Sequence, residues 1–149
     1  MRQEYFLALL GETPLPAFPG VLELITAGLN RDDFRLAIAT SSTREKSEAV
    51  LRSACIPYHQ MAYVTGSDVK RKKPEPELFL TAAGRLELDP VCCLVVEDAP
   101  NGIEAAKAAG CKCMAVTNTA REDKLSAADR VTASLAEITL EDVIALLHS

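Results

Sequence analysis

The stretch from Cys93 to Gly102 constrains the fold of this chain more than any other. Cys93 to Val96 is an apolar run typical of a strand that is buried on both faces, as in a parallel sheet. Glu97 and Asp98 follow directly, and a turn signal and a helical run come next. Because ligands of open α/β sheets bind at the carboxyl ends of strands, this pattern favours a site for a hard cation. The alternative is that both carboxylates cap the following helix and complement its dipole.

The rest of the chain repeats the alternation of strand and helix. Strands are predicted at Phe34–Ala39, Met61–Thr65, Cys93–Val96 and Lys112–Thr117, with a short extended piece near Arg130–Thr132. Helices are predicted at Val21–Leu29, Thr43–Ala54, Glu77–Leu86, Gly102–Ala109 and Leu140–Leu147. This alternation predicts an α/β fold, a doubly wound, Rossmann-like parallel sheet with helices on both faces.

Polar residues follow other strands in the same way. Thr40, Ser41 and Ser42 come after the first strand and precede a helix, which is a ready position for binding an anion. Ser42 and Glu45 also have the spacing of a capping box, which would explain Ser42 without a ligand.

Lys73 lies in a proline-rich stretch that favours an extended loop at the same edge. A lysine placed there could neutralise a phosphate group as a point charge. The alternative is an ordinary solvated surface lysine.

Composition narrows the class of protein. A net charge of −5 over 149 residues leaves no electrostatic footprint for nucleic acid. Apolar runs are too short to cross a membrane, and no secretory signal is visible. Five cysteines in such a chain predict a reduced, cytoplasmic protein. The pairs Cys92-Cys93 and Cys111-x-Cys113 lack the spacing of a zinc knuckle, so we expect them to pack in the core.

The ordered set of hydroxyls, lysine and paired carboxylates resembles the haloacid dehalogenase-like phosphohydrolases, in the branch that includes β-phosphoglucomutase and small sugar-phosphate phosphatases. The matching segments are, in chain order, Pro19-Gly20-Val21, Leu36–Ser42, Gly66–Val69 with Lys73–Glu77, and Val95–Ala106. The resemblance implies Mg²⁺-dependent phosphoryl transfer on a small phosphorylated metabolite such as a sugar phosphate, by a phosphatase or a phosphomutase.

The resemblance also implies a role for each matching residue. Thr40 would hydrogen-bond the transferring phosphoryl group, and Lys73 would steady its oxygens. Glu97 and Asp98 would hold Mg²⁺. Three further residues would lie near the substrate: Ser41, Ser42 and Arg44. Catalysis in this family is positioning and charge neutralisation around a covalent aspartate nucleophile.

That aspartate is not found where the family carries it. The family's first motif, Asp-x-Asp-Gly at the end of a central strand, does not occur in these 149 residues. Met1–Gly11 has apolar residues on more than one helical face, so we predict that residues 1–14 are the last helix of a cap domain. Residues 15–149 would then be a core domain with its first central strand missing.

Three expectations follow from this missing strand and motif. The chain alone should not turn over substrate, and its binding of Mg²⁺ should be weak. An uncovered first helix and open strand edges predict a homodimer. The alternative function is a non-catalytic homologue that binds phosphate or a partner.

Overall fold

The computed structural model describes residues 19–117 and 121–149, together with the backbone of residues 5–9. The strands are β1 Tyr5–Leu9, β2 Phe34–Ala39, β3 Ala62–Val64, β4 Cys93–Glu97, β5 Lys112–Val116 and β6 Arg130–Thr132. The helices are α1 Val21–Leu29, α2 Arg44–Ser53, α3 Glu77–Arg85, α4 Pro100–Ala109 and α5 Leu140–Leu147. All six strands form one parallel sheet in the order β3-β2-β1-β4-β5-β6. The predicted doubly wound α/β fold is confirmed.

The amino-terminal segment differs from its prediction. Tyr5–Leu9 is a strand and not the end of a cap helix, and it pairs with β2 on one side and with β4 on the other. The prediction of a missing central strand is therefore wrong, and residues 5–9 belong to the sheet of the core domain. A short apolar run does not distinguish a buried strand from a helix by periodicity, and apolar residues on both sides suit a strand that is covered on both faces.

This correction removes the basis of the predicted homodimer. That prediction required unpaired edges on the strands that end near Thr40 and Glu97, and β1 pairs with both of these strands. Residues 1–4 and 10–18 of the predicted helix and its following linker lie outside the described residues.

The two faces of the sheet are packed with different side chains. Large residues cover the face beneath α1 and α5, where Leu36, Leu94 and Met114 are buried. Small residues cover the face beneath α3 and α4, where alanines and Cys93 and Cys113 are buried. Successive strand residues alternate between the two clusters, as the pleat of a strand requires. Three cysteines, Cys93, Cys111 and Cys113, are buried, which confirms the core-packing prediction for them. Cys92 is only half-buried, so the prediction is wrong for that residue.

The ends of α4 and α5 show how local sequence starts and stops a helix. Thr139 caps α5 in a capping box with Asp142, and Gly110 ends α4 with a φ of 90°. The start of α4 lies two residues before the predicted Gly102, because Pro100 occupies the first helical position, where a missing N–H costs nothing. No helix in the described part of the chain is long and apolar enough to cross a bilayer.

Candidate active site

The register of the sheet brings the carboxyl ends of β2 and β4 to the same level. Ile38 and Val96 are both register partners of Leu9 in the strand between them. Thr40 and Asp98 each follow two residues later, so they lie level with each other at the carboxyl edge. Neighbouring strands are about 4.8 Å apart, which separates β2 from β4 by roughly 10 Å. Thr40 and Asp98 are each only 2% exposed.

Lys73 reaches this edge from the loop between β3 and α3. Its Nζ donates to Glu97 Oε2 over 3.0 Å, and the two side chains are 2% and 1% exposed. A buried ion pair excludes the interpretation of Lys73 as a solvated surface lysine. It also places Lys73, Glu97 and Asp98 at one edge of the sheet, as predicted.

Glu97 is held by the chain that follows it. Its Oε1 accepts a hydrogen bond from the backbone N–H of Asp98 over 3.0 Å. The first turn of α4 packs against the same carboxylate at Gly102, where an added Cβ would lie 1.9 Å from Glu97 Oε2. Only glycine leaves room for the carboxylate at this distance. The residue that precedes α4 is Ala99, so neither Glu97 nor Asp98 is the N-cap of this helix.

Burial dominates the protonation of Glu97. Loss of water raises the pKa of this carboxyl from 4.5 to about 7, although the ammonium group of Lys73 opposes the change. Glu97 therefore depends on Lys73 for its negative charge near neutral pH.

The hydroxyl loop after β2 forms the other side of the site. The backbone N–H of Ser42 donates to Thr40 Oγ1 over 3.1 Å, and Ser42 O accepts from the N–H of Gly66 over 3.0 Å. An added Cβ at Gly66 would lie 2.2 Å from Ser41 O, so the loops after β2 and β3 touch through their backbones. Ser41 Oγ is buried, and no residue in the described part of the chain forms a hydrogen bond with it. A buried hydroxyl without a partner costs free energy, and an anion bound in front of it would satisfy it.

The start of α2 differs from its prediction. The N-cap is Thr43, whose hydroxyl accepts from the backbone N–H of Lys46 over 3.3 Å. The expected capping box of Ser42 and Glu45 is therefore wrong. The helix begins one residue later, and Ser42 belongs to the loop that contains Thr40.

Arg44 is held at the first turn of α2 by two contacts. Its guanidinium lies 4.5 Å from the centre of the Tyr63 ring, and its Nε donates to Glu48 over 3.1 Å. The side chain is 56% exposed. A role for Arg44 next to the substrate stays a prediction.

Two residues of this edge escaped the sequence analysis. Gly102 is predicted from the sequence only as the start of a helix after a turn, although it also makes room for Glu97. Glu77 was interpreted only as the start of a helix, but its two carboxylate oxygens accept the backbone N–H groups of Lys70 and Arg71 over 3.0 and 2.9 Å. An acidic first turn directly after a proline-rich loop is the signal that could have pointed to Glu77.

The carboxylates of Glu97 and Asp98 at the end of β4 are the kind of ligand with which proteins commonly bind Mg²⁺. Mg²⁺ takes oxygen ligands and often uses one or two carboxylates together with water and substrate phosphate. Glu97 and Asp98 provide two such carboxylates at the sheet edge. Within the described ranges, no group of three or more His, Cys, Asp and Glu side chains converges on one point. Glu97 and Asp98 would therefore form a small set of ligands that phosphate and water would complete.

Comparisons with known proteins agree with this geometry. The profile of the family "Haloacid dehalogenase-like hydrolase" matches residues 5–116. Hexitol phosphatase A of Escherichia coli (strain K12) is 39% identical over 126 residues, which are 85% of this chain and 57% of that protein. Beta-phosphoglucomutase of Bacillus subtilis (strain 168) is 31% identical over 147 residues, which are 99% of this chain and 61% of that protein.

A solved structure shows the same relation. The crystal structure of CbbY from Rhodobacter sphaeroides in complex with phosphate superposes with a TM-score of 0.73 at 32% identity, over 80% of this chain and 55% of that one. The chain thus spans little more than half the length of these relatives. Since the family profile covers three quarters of the chain, the chain belongs to the haloacid dehalogenase-like hydrolases.

Proposed function

We propose that this chain provides the phosphate-binding and metal-binding residues of a Mg²⁺-dependent phosphoryl-transfer site for a small sugar phosphate. The observation that carries the proposal is the buried Lys73–Glu97 ion pair beside Asp98, level with Thr40 across the sheet. The names of the relatives support this substrate class, since they include a hexitol phosphatase and a beta-phosphoglucomutase.

Each residue has a part that its position supports. Thr40 and Ser41 would donate hydroxyl hydrogen bonds to a phosphate from the β2 side. Lys73 would contribute positive charge from the β4 side, held in place by Glu97. Asp98 would be the principal carboxylate toward Mg²⁺, with Glu97 as the second. When bound, Mg²⁺ would neutralise charge on the phosphoryl oxygens.

We propose further that the 149-residue chain does not turn over substrate by itself. β1 occupies the central position that the resemblance gives to the strand ending in the nucleophile, yet the sequence contains no Asp-x-Asp. Covalent phosphoryl transfer then has no acceptor. The same observation favours a second candidate function, a non-catalytic module that binds phosphate. Phosphatase and phosphomutase activities both require the absent group.

A turnover assay tests the first part of this proposal. Hexitol, glucose and xylulose phosphates with Mg²⁺ should give release of inorganic phosphate at background level. Turnover that disappears in Asp98→Asn would contradict the proposed inactivity and reveal another nucleophile.

A binding experiment tests the second part. We expect weak binding of inorganic phosphate in calorimetry or by ³¹P NMR, strengthened by Mg²⁺, because neither ligand finds a complete site alone. Asp98→Asn should abolish the gain from Mg²⁺. Glu104→Gln, an exposed carboxylate on α4, is the matched control and should bind like the wild type. If phosphate does not bind at millimolar concentration with or without Mg²⁺, the proposal is wrong.

Location is also a proposal. Five cysteines without a disulfide are consistent with a reduced compartment, which supports a cytoplasmic protein.

A further inference from the structure

The loop that contains Lys73 is closed by a side chain from the next helix. Glu77 is the first residue of α3, and its carboxylate accepts the backbone N–H groups of Lys70 and Arg71, one on each oxygen. Within this closed segment, the N–H of Glu75 donates to Lys72 O over 3.0 Å. The resulting ring runs from residue 70 to residue 77, and Lys73 lies inside it.

The closure is made by strong hydrogen bonds. A carboxylate that accepts backbone N–H groups forms charge-assisted bonds, which are about twice as strong as neutral ones. These two bonds lower the pKa of Glu77 below its ordinary value, so the group is ionised at neutral pH. Both acceptor oxygens are used, and both donors lie a few residues before Lys73.

The lysine in the middle of this loop behaves differently from its neighbours. Lys70, Arg71 and Lys72 are exposed, whereas the side chain of Lys73 is 2% exposed and its Nζ donates to Glu97 over 3.0 Å. A lysine side chain has four rotatable carbon links and loses rotamer freedom when it is held in one geometry. A mobile backbone would add to that loss, because the ammonium group could reach Glu97 only from a small part of the loop's conformations.

We propose that Glu77 is a positioning residue for Lys73. By closing the segment 70–77, it fixes the backbone from which Lys73 reaches Glu97 and the phosphate side of the site. The importance for phosphate binding rests on the proposed function, whereas the effect on Lys73 itself does not.

The simpler interpretation is that Glu77 only complements the dipole of α3. An acidic residue in a first turn stabilises a helix in that way whatever the preceding loop does. The two interpretations differ in what happens to Lys73 when Glu77 is removed while the helix stays folded.

Chemical labelling of lysines with an acetylating ester, read by mass spectrometry, distinguishes them. In the wild type, Lys73 should react far more slowly than Lys72. We expect Glu77→Ala to raise the labelling rate of Lys73 by about tenfold or more, because the loop loses two charge-assisted bonds. Glu75→Ala removes an equal charge from an exposed position in the same loop and should leave the rate within about twofold.

Two further measurements separate positioning from general unfolding. Buried Cys93 and Cys113 should stay unreactive to a maleimide in each variant that is used. Amide exchange at Lys70 and Arg71 should accelerate in Glu77→Ala but not in Glu75→Ala. If Glu77→Ala exposes the cysteines, the comparison is made with Glu77→Gln, which keeps one acceptor oxygen and should give an intermediate rate.

The outcomes are decisive in both directions. Unchanged protection of Lys73 in a folded Glu77 variant would overturn the proposal, as would equal effects of the Glu75 and Glu77 variants. Affinity for inorganic phosphate should fall by about tenfold in Glu77→Ala if Lys73 contacts the anion. Wild-type protein that binds no phosphate would defeat the proposed function and leave the labelling result standing.

Discussion

The two sides of the candidate site are built in opposite ways. On the β4 side, Lys73 and Glu97 are buried together, and both oxygens of Glu97 already have a donor. On the β2 side, Ser41 Oγ is buried and has no hydrogen-bond partner among the described residues. On the β4 side the buried charges are therefore paired with each other, whereas on the β2 side the Ser41 hydroxyl could still form a hydrogen bond with a ligand.

This difference separates positioning from ligand capture. A buried charge must be paired to be tolerated, so the β4 side can keep its lysine in place before any ligand arrives. The free-energy cost of one buried, unpaired hydroxyl is much lower than that of an unpaired charge. The β2 side can therefore stay folded without a ligand and gain a hydrogen bond when one binds. Mutations on the β4 side should therefore affect folding, and those on the β2 side should affect binding.

The largest effect is expected from Lys73→Ala. Removal of one partner from a buried ion pair leaves the other without compensation, which typically costs about 3–5 kcal/mol. The free energy of unfolding, measured with urea at pH 8 where Glu97 is ionised, should fall by that amount.

Lys72→Ala is the matched control, because Lys72 is exposed one position earlier. It should change the unfolding free energy by no more than about 0.5 kcal/mol. Equal effects of the two substitutions would show that the Lys73–Glu97 pair contributes nothing specific. The double variant Lys73→Met/Glu97→Leu should recover much of the loss, since neither charge is then buried.

The pH dependence of stability provides the next effect. The pKa of Glu97 is raised from 4.5 to about 7, so the folded state holds its proton more tightly than the unfolded state. The resulting stabilisation is fully present below pH 4.5 and is lost as the pH rises through 7, by on the order of 3 kcal/mol. Glu97→Gln, which cannot titrate, should lose less stability than the wild type between pH 5 and pH 8. Parallel pH profiles of the two proteins would disprove the assignment.

Gly102→Ala should disturb the β4 side without removing a charge. A new Cβ would overlap the carboxylate of Glu97, which must then move away from Lys73. We expect a loss of about 1–3 kcal/mol, as for overpacking of a filled interior. Gly84→Ala is the control, because nothing lies within 4 Å of an added Cβ there. That variant should gain about 0.4–1 kcal/mol, and a similar gain in Gly102→Ala would contradict the close packing of Glu97.

Sequence alone predicted the β4 side well, for a clear physical reason. An apolar run that ends in Glu97 and Asp98 has a fixed meaning in a parallel sheet, since strand ends gather at one edge. The pairing of Lys73 with Glu97 could not be predicted, because it depends on how a long loop folds back over the sheet. The importance of Gly102 and Glu77 depends on the same tertiary contacts.

The amino-terminal strand shows the opposite situation. Tyr5–Leu9 has no charged residue to mark an exposed face, so its pattern is compatible with either a buried helix or a buried strand. The segment forms a strand because it pairs with β2 and β4, and this pairing exists only in the assembled sheet. Local sequence therefore specified β2 and β4 more strongly than the central strand β1 between them.

The smallest effect, and the sharpest test of the β2 side, is expected from Ser41→Ala. Because Ser41 Oγ is buried without a partner in residues 19–117 and 121–149, its removal eliminates a desolvation cost and should leave stability unchanged or up to about 1 kcal/mol higher. Ser134→Ala is the contrasting control, since Ser134 Oγ accepts the backbone N–H of Ala136 over 3.1 Å, and its loss should cost about 1 kcal/mol. Affinity for inorganic phosphate should respond in the reverse order, with a decrease of several-fold for Ser41→Ala and none for Ser134→Ala. If Ser41→Ala destabilises the fold and leaves phosphate affinity intact, the hydroxyl is structural and the two sides of the site are built alike.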